Sequence, residues 1–379
     1  MNGAFSTNKY SNLFKEAGKT DDEIKTRLNE IFEEIFFGDE KIYFTDGDMG
    51  YVMDTGNNDV RTEGMSYAMM IFVQLDRKED FDRIWKWTKT YMYINTDWNR
   101  GYFYWSMLPD GGKNSDGPAP DGEEFFAMAL LLASARWGDG EGIFNYSHHA
   151  RELLRECIHK GEDGKGDKPM WNPENKLIKF ITDLEMTDPS YHLPHFYEIF
   201  ALKSYEEDRL FWKAAAAASR EFLKTACHPV TGLAPEYSYY DGTPYAERNM
   251  PEHPGHDTFY SDSYRVAANI GLDYEWFAAD EWNCDCADRI QKFFCETVAE
   301  NPEMVYKTDG TVLDVPSLHP VGLLATNAQA SLAAKGKWRL ELVQRLWNTP
   351  PRKGERRYYD NFLYLFAFLA LSGNYKIYI

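Results

Sequence analysis

The sequence of 379 residues predicts an all-α fold, an (α/α)6 barrel of six inner and six outer helices. Three observations predict this fold. Helical periodicity recurs along the whole chain, every second helix is apolar around most of its circumference, and short links alternate with long ones. A helix that is apolar on all sides is buried, and short links force antiparallel neighbours. We expect one domain that spans residues 1–379.

The first predicted helix begins near Ile24 and ends at Gly38. Thr20 and Glu23 form the pattern of a capping box ahead of it. Few strand signals are present, and residues 41–44 are a candidate for a short strand. Further helices are predicted at residues 58–75, 79–94, 121–137, 145–161, 190–204, 206–227, 261–278, 280–299, 319–334, 337–348 and 358–372.

Composition separates inner from outer helices. The even-numbered helices carry apolar runs such as residues 125–132 and 362–369, whereas the odd-numbered helices have a charged face, as in residues 206–221. Links that lead into the even-numbered helices are long, and the link at residues 228–260 is the longest. These loops should gather where the inner helices begin, and long loops on a rigid scaffold usually carry the functional site. An open helical solenoid is the alternative fold, but it requires a fixed repeat length that the unequal loops do not show.

The charge balance limits the class of ligand. The chain has 41 Lys and Arg against 60 Asp and Glu, a formal net charge of −19. Nucleic acid and anionic membranes attract basic surfaces, so both are poor candidates. Aromatic residues are abundant, with 11 Trp, 25 Tyr and 24 Phe. Most of them must form the core, but aromatic rings also pack against the C–H faces of sugars.

Targeting and metal signals are weak. The first four residues begin no apolar signal segment, and no apolar run is long enough to span a membrane. Five cysteines at irregular spacing suit a reducing cytoplasm, where we expect the protein to act. The cysteines Cys284, Cys286 and Cys295 and the histidine pairs 192/195 and 253/256 lack the spacing of a metal motif. The sequence therefore predicts no metal, no cofactor and no obligatory protein partner.

Polar residues recur where the inner helices begin, and on a barrel these positions converge. They are Arg61, Glu63, Asp121, Tyr191, Asp262, Arg265, His319 and Tyr359. Capping explains any single acid at a helix N-terminus, but arginine, tyrosine and histidine do not cap helices there. An acidic, aromatic cleft without phosphate-binding loops indicates sugar chemistry. Hydrolysis of a glycosidic bond needs two carboxyl groups, one to donate a proton and one to activate water or attack.

Six segments resemble the motifs of glycoside hydrolase family 8, and the likeness runs over nearly the whole chain. They are DVRTEGMSY (59–67), GPAPDGEE (117–124), PSYHLPH (189–195), FYSDSYR (259–265), SLHPVG (317–322) and RRYYDN (356–361). The pattern is most similar to that of the members that release xylose from the reducing end of short β-1,4-xylo-oligosaccharides.

The resemblance implies an inverting hydrolase with Glu63 as general acid and Asp262 as general base. It also implies that Asp121 binds and distorts the sugar before the cut, and that Tyr191 helps to hold the attacking water. The loop 318–320 should close the cleft beyond one leaving sugar, with His319 contacting that sugar. Such a block explains an exo mode of action.

The remaining site residues receive supporting roles. Arg61 and Arg265 neighbour the two acids, and we expect them to orient the carboxylates and tune their pKa values. Trp105 and Tyr359 are expected to contact substrate, with Trp105 and Trp98 as possible sugar platforms. His256 precedes the eighth helix and is expected to line the cleft.

Three other functions stay open. An endo-acting glucanase, chitosanase or xylanase of the same family would need an open cleft. A carbohydrate-binding protein without activity would not need both Glu63 and Asp262. A polysaccharide lyase on the same fold would need an acidic substrate, which the net charge of −19 disfavours.

Overall fold

A computed structural model describes residues 2–96, 98–164, 168–247 and 253–379. Two four-residue helices, Ala4–Thr7 and Leu13–Glu16, come first. The helices that follow are α1 (Asp21–Phe37), α2 (Thr62–Gln74), α3 (Lys78–Trp87), α4 (Pro120–Trp137), α5 (Tyr146–His159), α6 (Pro194–Lys203), α7 (Arg209–Ala226), α8 (Arg265–Phe277), α9 (Trp282–Lys292), α10 (Pro320–Gln329), α11 (Arg339–Asn348) and α12 (Arg357–Leu371).

The even-numbered helices form a closed inner ring. Each of them packs on the next along the chain, from α2 to α12, and α12 then packs against α2. Each odd-numbered helix from α3 to α11 packs on the inner helix before it, and α1 packs on α12. The predicted (α/α)6 barrel is therefore confirmed, and the open solenoid is excluded because a solenoid has no contact between its two ends.

Burial follows the predicted alternation. In the outer helix α7 the buried residues Trp212, Ala215, Ala216 and Ser219 mark one face. In the inner helix α2 every residue except Glu63 is buried. Such helices are apolar on all sides because they face both the ring interior and the outer layer. Within the described ranges, no helix has the length and apolarity needed to cross a membrane.

The ends of α1 agree with the sequence analysis. The side chain of Thr20 accepts a hydrogen bond from the backbone of Glu23, and the Glu23 side chain accepts one from the backbone of Thr20. Gly38 is the C-cap residue. The capping box therefore sets the start of the first barrel helix at Asp21, three residues before the apolar pattern begins.

Three inner helices begin four residues later than predicted. α2 begins at Thr62 rather than at 58, because Val60–Arg61 pairs as a strand with Ser106–Met107. α6 begins at Pro194 rather than at 190, and Pro189–Tyr191 forms a separate 3-10 turn. The difference matters because these less regular segments carry predicted site residues.

The start of α8 differs in the same way. Ser261–Tyr264 forms a 3-10 turn, and the α-helix begins at Arg265 rather than at 261. Ser261 has a φ angle of +36°, in a region that residues other than glycine rarely adopt. Asp262 is therefore presented by a turn and not by the first turn of a regular helix.

Short strands occur in the long loops. A hairpin joins β1 (Tyr43–Asp46) and β2 (Met49–Val52), so the predicted strand at 41–44 starts two residues later. β3 (Val60–Arg61) pairs with β4 (Ser106–Met107). A three-stranded sheet of β5 (Thr258–Phe259), β6 (Met304–Lys307) and β7 (Val312–Pro316) was not predicted. It anchors the segment that leads into the turn of Asp262.

Candidate active site

Two adjoining cavities lie where the inner helices begin. The larger has a volume of about 640 Å³ and the smaller about 270 Å³. Four residues line both of them: Arg61, Glu63, Tyr237 and Asp262. The larger cavity is also lined by Trp98, Trp105, Asp121, Phe180, Tyr191 and Arg265, and the smaller by Glu236, His256, Leu318, His319, Tyr358 and Tyr359. All nine predicted site residues thus come together, as does His256.

Glu63 is positioned by the first turn of α2. Its Oε1 accepts a hydrogen bond from the hydroxyl of Tyr358 at 3.1 Å, and its Oε2 accepts one from Nη1 of Arg265 at 3.2 Å. Burial raises the pKa of Glu63 to about 8; Arg265 acts to lower this pKa, and Asp121 acts to raise it. A carboxyl group with this pKa carries a proton near neutral pH and can donate it.

Arg265 is shared by four carboxylates. Its Nη1 lies 3.2 Å from Glu63 and 3.5 Å from Asp121, and its Nη2 lies 3.4 Å from Asp262 and 3.8 Å from Asp188. The guanidinium is almost fully buried, and it also donates to the hydroxyl of Tyr67 at 2.8 Å. One positive charge therefore faces four acidic groups, so ionisation of each acid disfavours that of the others.

Asp121 and Asp188 are the buried members of this group. Asp121 follows Pro120 at the start of α4, and its Oδ1 accepts from the N–H of Gly122 at 2.9 Å. Burial raises its pKa to about 6. Asp188 caps the turn of Tyr191 through Oδ1, and burial raises its pKa to about 8.

Asp262 is the more exposed acid. Its side chain is 33% exposed, against 15% for Glu63. The Nη2 of Arg265 at 3.4 Å stabilises its negative charge. This position, open to both cavities, allows its carboxylate to reach a water molecule in the cleft.

Arg61 differs from the expectation that it orients the two acids. Its Nε lies 3.0 Å from Asp59 and 3.3 Å from Asp54, so its direct ion pairs are with these residues. Its guanidinium lies over the ring of Trp105 at 5.4 Å from the ring centre. Arg61 acts on Glu63 only through its positive charge, which lowers the pKa of Glu63 less than Arg265 does. Arg61 therefore holds Trp105 in place at the edge of the larger cavity.

His319 is held at the end of the smaller cavity. Its Nδ1 lies 2.8 Å from Oδ2 of Asp360, and a carboxylate can only accept, so Nδ1 carries the proton and Nε2 is left for a ligand. Arg352 pairs with Asp360 and also donates to the carbonyl of Leu318. The loop of Leu318 and His319 is thus fixed by the buried Asp360 and the half-buried Arg352.

The same cavity contains a cluster that the sequence did not predict. Within the described ranges, Glu236, His253 and His256 form one group whose ligand atoms lie within 4.8 Å of one another. A metal ion lies in the plane of each imidazole that binds it. The two rings are stacked at 4.0 Å with 24° between their planes, so their lone pairs do not point at one place. In this arrangement His256 is hydrogen-bonded to Glu236, and His253 stacks on His256 with its Nε2 3.5 Å from Glu236.

Sequence reasoning missed Asp188, Glu236 and Tyr358 as members of the site. Asp188 directly precedes the motif at 189–195, and an aspartate at that position is typical of an ordinary helix N-cap. Glu236 lies inside the long loop between α7 and α8, where no periodicity marks it. The last motif contains two adjacent tyrosines, and the sequence analysis chose Tyr359. The hydroxyl that donates to Glu63 belongs to Tyr358.

Comparison with known proteins gives matches over nearly the whole chain. The profile of Glycosyl hydrolases family 8 matches residues 34–373. The chain is 60% identical over 381 residues to the reducing end xylose-releasing exo-oligoxylanase of Halalkalibacterium halodurans, with 99% of this chain and 96% of that protein covered. It is 55% identical to the reducing-end xylose-releasing exo-oligoxylanase Rex8A of Paenibacillus barcinonensis, with 99% and 98% covered. The structure of Rex8A complexed with xylose matches with a TM-score of 0.96 over 100% of both chains, at 55% identity.

Proposed function

The chain belongs to glycoside hydrolase family 8, and we propose that it hydrolyses short β-1,4-xylo-oligosaccharides from the reducing end, releasing xylose with inversion. One observation carries the proposal. Glu63 and Asp262 line both cavities, so a scissile bond between them leaves the longer part of the substrate in the larger cavity. The smaller cavity then takes the leaving sugar. The names of the two similar proteins supply the substrate class.

Glu63 acts as the general acid. Its raised pKa keeps a proton on the carboxyl group near neutral pH, and it gives this proton to the glycosidic oxygen as the bond breaks. The Tyr358 hydroxyl and Arg265 hold its two oxygens in place. After proton transfer, the charge of Arg265 stabilises the carboxylate that forms.

Asp262 acts as the general base. Its carboxylate takes a proton from the water that attacks the anomeric carbon from the opposite face of the sugar. Tyr191 lies in the larger cavity below the guanidinium of Arg265, where it can help to hold that water. Asp121 binds the sugar before the cut, and its closeness to Arg265 and Asp262 supports this role.

The exo mode follows from the smaller cavity. The Leu318–His319 loop is pinned by Arg352 and Asp360, so it forms a fixed end beyond one leaving xylose. Nε2 of His319 contacts a hydroxyl group of that xylose. On the other side, Trp98 and Trp105 are exposed enough to stack on the sugars of the longer part.

Proton NMR of xylotriose hydrolysis tests this function. We expect xylose and xylobiose as products, with the new reducing end of xylobiose appearing first as the α-anomer. Xylotriose with a reduced end, run beside it, shows whether a free reducing end is required. A new end that appears first as the β-anomer would contradict the inverting roles of Glu63 and Asp262.

An endo-acting glucanase, chitosanase or xylanase is the alternative within the family. The pinned Leu318–His319 loop speaks against it because a polymer must pass beyond the leaving sugar. Incubation with xylan, glucan and chitosan separates the two functions. Release of mixed oligosaccharides from a polymer, with xylotriose left intact, would support the endo function.

We also propose that the protein acts in the cytoplasm. All five cysteines are unpaired and buried, which suits a reducing compartment. Fractionation of the source cells, with activity on xylotriose measured in each fraction, tests this location. Activity mainly in the culture medium would contradict it.

A further inference from the structure

The peptide bond between Ser261 and Asp262 is held on both of its polar sides. The carbonyl of Ser261 accepts a hydrogen bond from the hydroxyl of Tyr359 at 3.2 Å. The N–H of Asp262 donates to Oε1 of Glu236 at 3.4 Å. These two groups belong to one peptide unit, so two side chains from distant parts of the chain fix its plane.

This peptide needs external support. Ser261 has a φ angle of +36°, a strained conformation for a residue with a side chain, and it persists only where surrounding contacts hold it. Within the 3-10 turn, the N–H and the hydroxyl of Ser263 donate to the carbonyl of Tyr260 at 3.0 and 2.9 Å, and the hydroxyl of Ser263 accepts from the N–H of Tyr260 at 2.9 Å. These bonds join the residues on either side of Ser261 and Asp262, whereas Tyr359 and Glu236 bond to the polar atoms of the peptide that carries Asp262.

Glu236 is itself firmly placed. Its backbone N–H donates to the carbonyl of Thr258 at 2.9 Å, beside the strand that leads into the turn. Its Oε2 lies 2.9 Å from Nδ1 of His256, and its side chain is 3% exposed. The His256 ring is stacked between Tyr237 at 4.2 Å and His253 at 4.0 Å. The carboxyl group can therefore turn away from the peptide only if this stack is disturbed.

We propose that Glu236 is a positioning residue for the general base. With Tyr359 it fixes the Ser261–Asp262 peptide, and so it sets the direction from which the Asp262 carboxylate reaches the attacking water. This inference rests on the proposed role of Asp262. Glu236 also lines the smaller cavity, but its role in fixing the peptide requires no proton transfer of its own.

The first test compares Glu236→Ala with Glu236→Gln on xylotriose. A small misplacement of a reacting group costs about 10²-fold in rate, so we expect Glu236→Ala to lower kcat by about that factor with little change in KM. Glu236→Gln should keep most of kcat, because its amide oxygen can still accept from the N–H of Asp262. Burial raises the pKa of Glu236 well above its usual range, which makes the neutral amide a close substitute.

A matched control is Glu247→Gln on the same loop. Glu247 is exposed and accepts from the hydroxyl of Tyr239, outside both cavities, so kcat should stay unchanged. Thermal unfolding of each variant checks that it is folded. If Glu236→Ala does not fold, Tyr359→Phe replaces it, because that change removes only the hydroxyl on the other side of the peptide. Unchanged kcat in the folded variant would overturn the inference, as would an equal loss in Glu236→Gln.

A double-mutant cycle with Asp262→Asn decides whether Glu236 acts through the base. If it does, Glu236→Ala should cost little more once the base is gone, because the group it positions no longer works. A full additional loss in the Asp262→Asn background would overturn the positioning role and leave Asp262 as the base. Wild-type turnover by Asp262→Asn alone would overturn the proposed base, and this inference with it.

Discussion

Nη1 of Arg265 lies 3.2 Å from Oε2 of Glu63, and yet the pKa of Glu63 is raised to about 8. The positive charge acts to lower that pKa, but burial of the carboxyl group raises it more strongly. The same guanidinium faces Asp121 and Asp262, whose negative charges also act to raise the pKa of Glu63. Glu63 can therefore remain protonated near neutral pH beside an arginine.

The first prediction concerns the alkaline side of the pH profile. We expect kcat/KM for xylotriose to fall as the pH rises through about 8, because deprotonated Glu63 cannot protonate the leaving oxygen. The group must hold its proton to act, so activity is present below this pKa and lost above it. Initial rates across a pH series check the prediction, and a constant kcat/KM far above this pH would contradict it.

The second prediction separates the acid from the base. Glu63→Gln and Asp262→Asn should each lower kcat on xylotriose by about 10²–10⁴-fold, the usual contribution of acid–base catalysis. On β-xylobiosyl fluoride, whose leaving group needs no proton, Glu63→Gln should recover much of its activity. Asp262→Asn should not recover, because water must still be activated.

Fluoride release and thermal unfolding of both variants complete this comparison. Unfolding temperatures close to that of the wild type show that the losses are chemical. Recovery by Asp262→Asn instead of Glu63→Gln would reverse the two roles. If both variants kept wild-type activity on xylotriose, neither residue would take part in the mechanism.

The third prediction concerns the end of the smaller cavity. His319→Ala should lower kcat/KM for xylotriose by about tenfold to a hundredfold, as expected for the loss of one buried hydrogen bond to substrate. The space it leaves should also admit a second sugar, so xylotetraose labelled at its reducing end should yield some labelled xylobiose. Chromatography of the labelled products measures this change.

His148→Ala is a suitable control for this variant. His148 lies on the outer helix α5 and lines neither cavity, so labelled xylose should remain the only labelled product. If His319→Ala keeps the wild-type products and rate, His319 does not limit the cavity.

The fourth prediction concerns the close approach of α2 and α4. A Cβ atom on Gly122 would lie 2.4 Å from Cβ of Thr62, which no real contact allows. Gly122→Ala should therefore reduce the free energy of unfolding by about 1–3 kcal/mol, the typical cost of overpacking. It should also lower kcat because Glu63 and Asp121 are the adjacent residues. Denaturant unfolding and rates on xylotriose measure the two effects, and an unchanged free energy of unfolding would contradict the prediction.

The barrel could be predicted because its signal is repeated. Apolar runs recur in every second helix, so errors at single positions do not change the assignment of inner and outer layers. The starts of α6 and α8 could not be predicted, since Asp, Ser and Pro favour a helix cap and a 3-10 turn alike. Those starts carry Tyr191 and Asp262, and their backbone geometry is set by tertiary contacts.

The site was predictable where its residues begin inner helices. Glu63, Asp121 and Arg265 lie in motifs, and their places on the ring bring them together. Glu236 approaches Asp262 only because the long loop after α7 folds back beside β5, and no local pattern reveals such a fold. Residues of this kind are found from contacts, because spacing along the chain carries no information about them.

The closed ring has a consequence for the order in which the protein is made. α12 completes the ring beside α2, and Tyr358 and Tyr359 at its start contact Glu63 and the peptide of Asp262. A growing chain therefore cannot assemble a working site until α12 has left the ribosome. Contacts between residues nearly three hundred positions apart also predict slow folding. A cell that makes this protein gains activity only from chains that include α12, and fragments that lack α12 should bind and cut nothing.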